Sequence, residues 1–265
     1  MNSTLTRPRL RLIFLHGGPG MDSSYVKSFA DSLGHVGEVV IYDHGSTKKA
    51  STIEDLLTEL ESVIESCDAR VVLIGHSFGG TLACKYLERL TASNLKVSGI
   101  VTICSPLDSS WTESLYSQPS NYEELKHVEM KISALDKCLP PNDLFRAETL
   151  CWLPFYFSKD FHLLGRKLLE SIQYNFDLFE ALSRSFMNDF DVSDSLLKAK
   201  VPIFSIWSTS DRIISFEYSD KTSRKFPHIP FSYVDDAGHF PFVEKPNEVK
   251  HLIELFVSKI QKEEN

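Results

Sequence analysis

Apolar residues along this chain come in two rhythms. Short, nearly unbroken runs at Leu10–Leu15, Glu38–Tyr42, Val71–Ile74, Val97–Cys104, Val201–Trp207 and Pro230–Val234 have the length and β-branched content of strands. Between them, apolar positions recur at three- and four-residue spacing. That spacing predicts helices over 24–33, 53–64, 81–90, 216–225 and 246–262. Polar residues mark where these helices start. Asp22 or Ser23 can cap the first, Ser51-Thr52-Ile53-Glu54 reads as a capping box, and Pro246 suits a first turn. Strand and helix in regular alternation predict a parallel sheet buried on both faces.

The alternation stops from about Leu107 to Lys198. There the pattern is helical only, near 121–136, 143–150, 160–172 and 175–187, and it holds an aromatic cluster from Trp152 to Phe157. The expected organisation is an α/β core formed by residues 1–106 and 199–265, with residues 107–198 inserted as a helical cap.

Composition narrows the function. The chain has 265 residues, 28 Lys and Arg against 36 Asp and Glu, and a formal net charge of −8. With no Lys/Arg-rich block, a nucleic-acid partner is not expected. The apolar run Leu10–Leu15 is interrupted by Arg11 and is too short for a signal or for stable membrane insertion. The five cysteines, an odd number without C-x-x-C spacing, fit reduced thiols of a cytoplasmic protein better than a disulfide frame or a zinc site. No histidine pair has ligand spacing, so no metal and no cofactor are expected.

The candidate chemistry lies in the loops that end the strands. Gly75-His76-Ser77-Phe78-Gly79-Gly80 follows one apolar run and opens a helical one. A serine there must turn sharply, and flanking glycines let other backbone pass close by. The turn lifts the hydroxyl to the carboxyl end of a strand and to the N-terminus of a helix, where negative charge is favoured. Asp211 follows the fifth predicted strand and His239 the sixth. In a parallel sheet all such loops emerge at one edge, so Ser77, Asp211 and His239 can converge. Asp108, after the fourth strand, is the rival acid. His16-Gly17-Gly18-Pro19-Gly20, after the first strand, is a tight turn with outward N–H groups.

Taken together, H-G-G-P-G at 16–20, G-H-S-F-G-G at 75–80, S-D-R-I at 210–213 and A-G-H-F-P at 237–241 resemble the α/β-hydrolase-fold serine hydrolases over nearly the whole chain. The first motif resembles the proline iminopeptidase branch and its esterase-like relatives. Three departures are visible. Residues 1–9 are too few for the family's opening hairpin, which implies a trimmed sheet edge. Asp43-His44-Gly45-Ser46 stands where the iminopeptidases carry D-Q-R-G, and Phe78 where they carry Trp. The last two weigh against a peptidase.

The resemblance implies a Ser77–His239–Asp211 triad. The serine needs a base, His239 supplies it, and Asp211 holds the imidazole. The tetrahedral oxyanion needs two donors, Phe78 N–H and that of Gly18 or Gly17. His44, Trp152 and Phe155 are candidates for touching substrate, and Glu113, Glu148, Asp177 and Glu180 for holding a free amine. The expected partner is a small molecule or short peptide, and the protein a monomer or homodimer. The leading expectation is hydrolysis of a small ester or amide with an apolar acyl part through an acyl-enzyme. A thioesterase, lipid esterase or acyltransferase, and a non-catalytic binding protein of the same fold, are the alternatives.

Overall fold

The computed structural model describes residues 10–44, 50–90, 96–188 and 190–262. Residues 1–9, on which the expectation of a trimmed sheet edge falls, and Gly45 and Ser46 lie outside the described residues.

The six apolar runs are strands β1 (Leu10–Leu15), β2 (Glu38–Tyr42), β3 (Arg70–His76), β4 (Val97–Ile103), β5 (Ile203–Ser208) and β6 (Phe231–Val234). They form one sheet in the order β2-β1-β3-β4-β5-β6, and every pairing is parallel. The described edge strands are β2 and β6, and both are only partly buried. The central strands are buried along nearly their whole length, as continuous apolar runs require.

Alternating residues of those runs feed two separate cores. Ile13, Leu15, Val71 and Leu73 pack with α2 (Ile53–Glu65) and α3 (Phe78–Tyr86). Leu12, Phe14, Val72 and Ile74 pack with α1 (Ser24–Asp31) and with the C-terminal helix Pro246–Lys262. The two-residue period of a strand is what divides the sheet's faces in this way.

Between β4 and β5 the α-helices among the described residues are α4 (Ser110–Ser117), α5 (Tyr122–Ser133), α6 (Pro141–Cys151), α7 (Leu153–Tyr156), α8 (His162–Ser171), α9 (Phe176–Asn188) and α10 (Ser193–Leu197). After β5 come α11 (Phe216–Lys225), α12 (Pro241–Glu244) and α13 (Pro246–Lys262). Among the described residues no helix is long and apolar enough to cross a membrane.

Two local expectations are corrected. The capping box of α2 is one residue later than the sequence suggests. Thr52 is the cap and accepts from Asp55 N–H, and the Asp55 carboxylate accepts from the N–H groups of Thr52 and Ser51. Glu54 turns outward to pair with Arg89. The helix after the elbow starts at Phe78, ahead of Thr81, although Gly79 and Gly80 are weak helix formers. Close packing requires glycine there: a Cβ on Gly79 would sit 2.4 Å from the carbonyl oxygens of Leu15 and His16, and one on Gly80 would sit 2.0 Å from Ser105 Oγ.

Candidate active site

Ser77 connects β3 to α3 with φ 51° and ψ −122°, a conformation that L-residues adopt only under constraint. The constraint is visible on both sides. The Ser77 N–H donates to the Ile103 carbonyl at 2.9 Å, and its own carbonyl accepts from Gly80 and Thr81 at 3.0 and 3.2 Å. A Cβ on Gly75 would lie 2.4 Å from Gly80 Cα, so the turn closes only with glycine at that position. The Phe78 N–H is the first of α3 and belongs to the donors that a helix N-terminus leaves without an intrahelical acceptor.

Asp211 and His239 form a buried pair, with Nδ1–H of the imidazole donating to Asp211 Oδ2 at 2.8 Å. The second carboxylate oxygen accepts from the N–H groups of Ile213 and Ile214 at 2.8 and 2.9 Å, which fixes the acid in place. Asp108 is instead committed to Ser110 and Lys225. Asp236, with φ 54°, builds the turn before the histidine.

His239 is held by its backbone as well. Its N–H donates to the Tyr156 carbonyl at 2.8 Å, and its carbonyl accepts from His76 Nε2–H at 2.8 Å. The preceding Gly238 N–H donates to Glu244 Oε1 at 3.1 Å, and Glu244 also accepts from the Ser158 N–H and hydroxyl. Burial holds the Glu244 carboxyl above the usual carboxylate range.

Ser77 and His239 line one cavity of about 310 Å³. Their side chains are not hydrogen-bonded to each other in this structure. Such contacts commonly tighten only when substrate is bound. The core contributes Gly18, Met21 and Tyr25 to the cavity, and the helical segment contributes Trp111, Phe145, Trp152, Phe179 and Phe186. Among the described residues Glu148 is the one carboxylate in the lining, and its Oε1 lies 3.5 Å from Lys137 Nζ.

Several sequence-derived site residues are placed differently from expectation. Trp152 lines the cavity, whereas Phe155 is buried in the core beneath the Arg212 guanidinium. His44 is buried outside the cavity lining. Its ring stacks on His16 at 3.5 Å between centroids, its Nε2–H donates to the His16 carbonyl at 3.0 Å, and its edge meets Phe78. Burial, reinforced by the neighbouring His16, pushes the His44 pKa well down. The Gly17 N–H donates to the Tyr25 hydroxyl, which occupies that donor and leaves Gly18 in the turn. Glu113, Asp177 and Glu180 do not line the cavity. Tyr25 and Glu244 escaped the sequence reading, because each sits at an ordinary helical position and only tertiary packing shows its partners.

Among the described residues, the one His/Cys/Asp/Glu group compact enough for a metal is Cys104, Asp211 and His239, with donor atoms within 4.8 Å. There the carboxylate and Nδ1 are already bonded to each other, and burial together with the charge of Asp211 pushes the Cys104 thiol well above its usual range. A thiolate ligand is therefore disfavoured.

A proline iminopeptidase from Saccharolobus solfataricus is 21% identical over 268 residues, covering 94% of this chain and 85% of that protein. The structure superposes on a proline iminopeptidase from Mycobacterium smegmatis with TM-score 0.71 and 20% identity, covering 97% of this chain and 91% of that one. It superposes on a thermophilic esterase from Thermogutta terrifontis with TM-score 0.71 and 18% identity, covering 97% and 92%. The sequence model of the alpha/beta hydrolase family matches residues 12–251, and the chain belongs to that family.

Proposed function

We propose that this protein is a serine hydrolase that cleaves a small ester with an apolar acyl part through an acyl-enzyme on Ser77. The observation that carries the proposal is the buried Asp211–His239 pair, 2.8 Å apart, opening on the same cavity as a serine held at φ 51°. Because Nδ1–H is committed to Asp211, the other ring nitrogen is the basic one. It takes the Ser77 proton as Oγ attacks the carbonyl and returns it to the departing alcohol. Charge on the substrate oxygen is met by the N–H groups of Phe78 and Gly18, each worth about 3 kcal/mol of barrier in comparable sites. A water activated by His239 then releases the acid.

Residues 107–198 act in this scheme as a cap that shapes the acyl site. A cavity of about 310 Å³ lies at the small end for ligand sites, which favours short or single-ring acyl groups over long lipid chains. Five free cysteines, three of them buried, support a reducing, cytoplasmic setting. A second reading, an aminopeptidase acting on a short peptide, is favoured by one feature, the carboxylate of Glu148 in the cavity wall.

Labelling with a fluorophosphonate tests the chemistry. Ser77 is expected to carry the adduct, and Ser77→Ala is expected to abolish both labelling and turnover of p-nitrophenyl acetate. An unlabelled Ser77 in folded protein would overturn the proposal. Prolyl and alanyl naphthylamides hydrolysed in preference to short p-nitrophenyl esters would select the aminopeptidase.

A further inference from the structure

We propose that Tyr25 and His76 form a positioning relay that ties the oxyanion turn to the loop carrying the catalytic base. The inference rests on the serine-hydrolase reading above, which gives Gly18 and His239 their roles. The relay has three links. The Gly17 N–H donates to the Tyr25 hydroxyl oxygen, the Tyr25 O–H meets His76 Nδ1 at 2.8 Å, and His76 Nε2 meets the His239 carbonyl at 2.8 Å.

Its polarity is forced by the two ends. A peptide N–H can only donate and a carbonyl can only accept. His76 must therefore carry its proton on Nε2, which leaves Nδ1 as a bare acceptor in the neutral ring. The tyrosine hydroxyl must then donate to Nδ1 while accepting from Gly17. Tyr25 and His76 are both buried, and burial opposes ionisation of either ring.

The relay joins parts that the sheet keeps apart. The oxyanion turn follows β1, and the base loop follows β6, on opposite sides of β3 in the strand order. His76 is the last residue of β3 and immediately precedes the nucleophile, so its ring bridges the two loops across Ser77. Gly17 is shaped for this arrangement: a Cβ there would lie 2.9 Å from His76 Nδ1 and 3.0 Å from the Tyr25 hydroxyl. Without the tyrosine hydroxyl, the Gly17 N–H and His76 Nδ1 would lose their described partners in a buried setting, and the two loops would lose this link. The neighbouring Gly18 N–H and the His239 ring would then drift relative to each other. Misplacements of about 1 Å at such sites cost on the order of 100-fold in rate.

Full-length Tyr25→Phe is the first test. With p-nitrophenyl acetate, kcat is expected to fall about 10- to 100-fold with KM within about twofold, since the link acts on transition-state geometry. Affinity for a trifluoromethyl ketone, which mimics the tetrahedral intermediate, should fall in parallel with kcat/KM. His76→Gln, whose amide can still reach the His239 carbonyl, should retain more activity than His76→Leu. Unchanged kcat and unchanged inhibitor affinity in folded Tyr25→Phe would overturn the relay. Should that variant not fold, the tautomer of His76 in the wild-type protein decides. Nitrogen-15 NMR is expected to show Nε2–H and an unprotonated Nδ1, and the opposite tautomer would refute the relay. The tautomer measurement needs no activity, so it separates this inference from the function, which failure of Ser77 to take a fluorophosphonate would sink by itself.

Discussion

The loops at the sheet edge and the helices above them both face the cavity, yet they are held by different forces. Ser77, Asp211 and His239 are fixed through backbone. Ser77 is constrained at φ 51° between glycines, Asp211 accepts two main-chain N–H groups, and the peptide groups of His239 are bonded on both sides. Trp111, Phe145, Trp152 and Phe186 are fixed by packing among side chains, as in the edge contact between Phe78 and Phe186 and the stack of Phe145 on Phe179. Backbone constraints demand particular residues, whereas an apolar wall accepts many residues of similar volume. The contrast accounts for why the proposed chemistry is suggested by short motifs and the proposed substrate preference is not.

Substitutions on each side of that divide should behave differently, and the core side should give the largest effect. Asp211→Asn preserves shape but disturbs the tautomer of His239. If the proposed triad holds, kcat should fall about 10⁴-fold, as it does in a comparable triad. A rate within tenfold of wild type would take the acid role away from Asp211. On the helical side, Glu148→Gln should leave hydrolysis of p-nitrophenyl acetate within about twofold. If the aminopeptidase reading holds, it should raise KM for alanyl naphthylamide about two- to fivefold, as expected for losing one partly exposed charge contact. Equal responses of the two substrates would remove Glu148 from amine recognition.

The smallest effect is expected at the joint between the two regions. Glu244 accepts from Gly238 on the base loop and from Ser158 on the helical side. Burial raises its folded pKa, so folding favours the protonated form relative to the unfolded chain. Its contribution is therefore complete below the unfolded value near ~4.3 and is lost as pH rises through the raised folded value. Glu244→Gln does not titrate. Measured by thermal melts, wild type minus variant Tm should decline by a few degrees between about pH 4 and pH 8. A flat difference would mean that the carboxyl titrates alike in the folded and unfolded states.

Much of this arrangement could be read before any coordinates. The six strands and the strand–turn–helix at Ser77 follow from apolar runs and the residues that end them. Helices α5, α6, α8 and α9 follow from periodicity, whereas α7 and α10, of four and five residues, are too short to display any. Side-chain direction was the other hidden quantity. His44 and Phe155 lie close to the site in sequence terms, yet their rings turn into the interior, and Gly17 belongs to the expected turn but spends its N–H on Tyr25. Which way a ring or an amide points is decided by the neighbours that reach it across the fold, and no local pattern records those neighbours.

The bond from His239 N–H to the Tyr156 carbonyl has one more consequence. Gly238 presses on the same segment so closely that a Cβ would meet the Tyr156 oxygen at 2.7 Å. The Tyr156 segment of the helical layer is thus tied to the base loop at two adjacent residues, Gly238 and His239. On the proposed reading, any shift of residue 156 would be passed directly to the backbone of the general base.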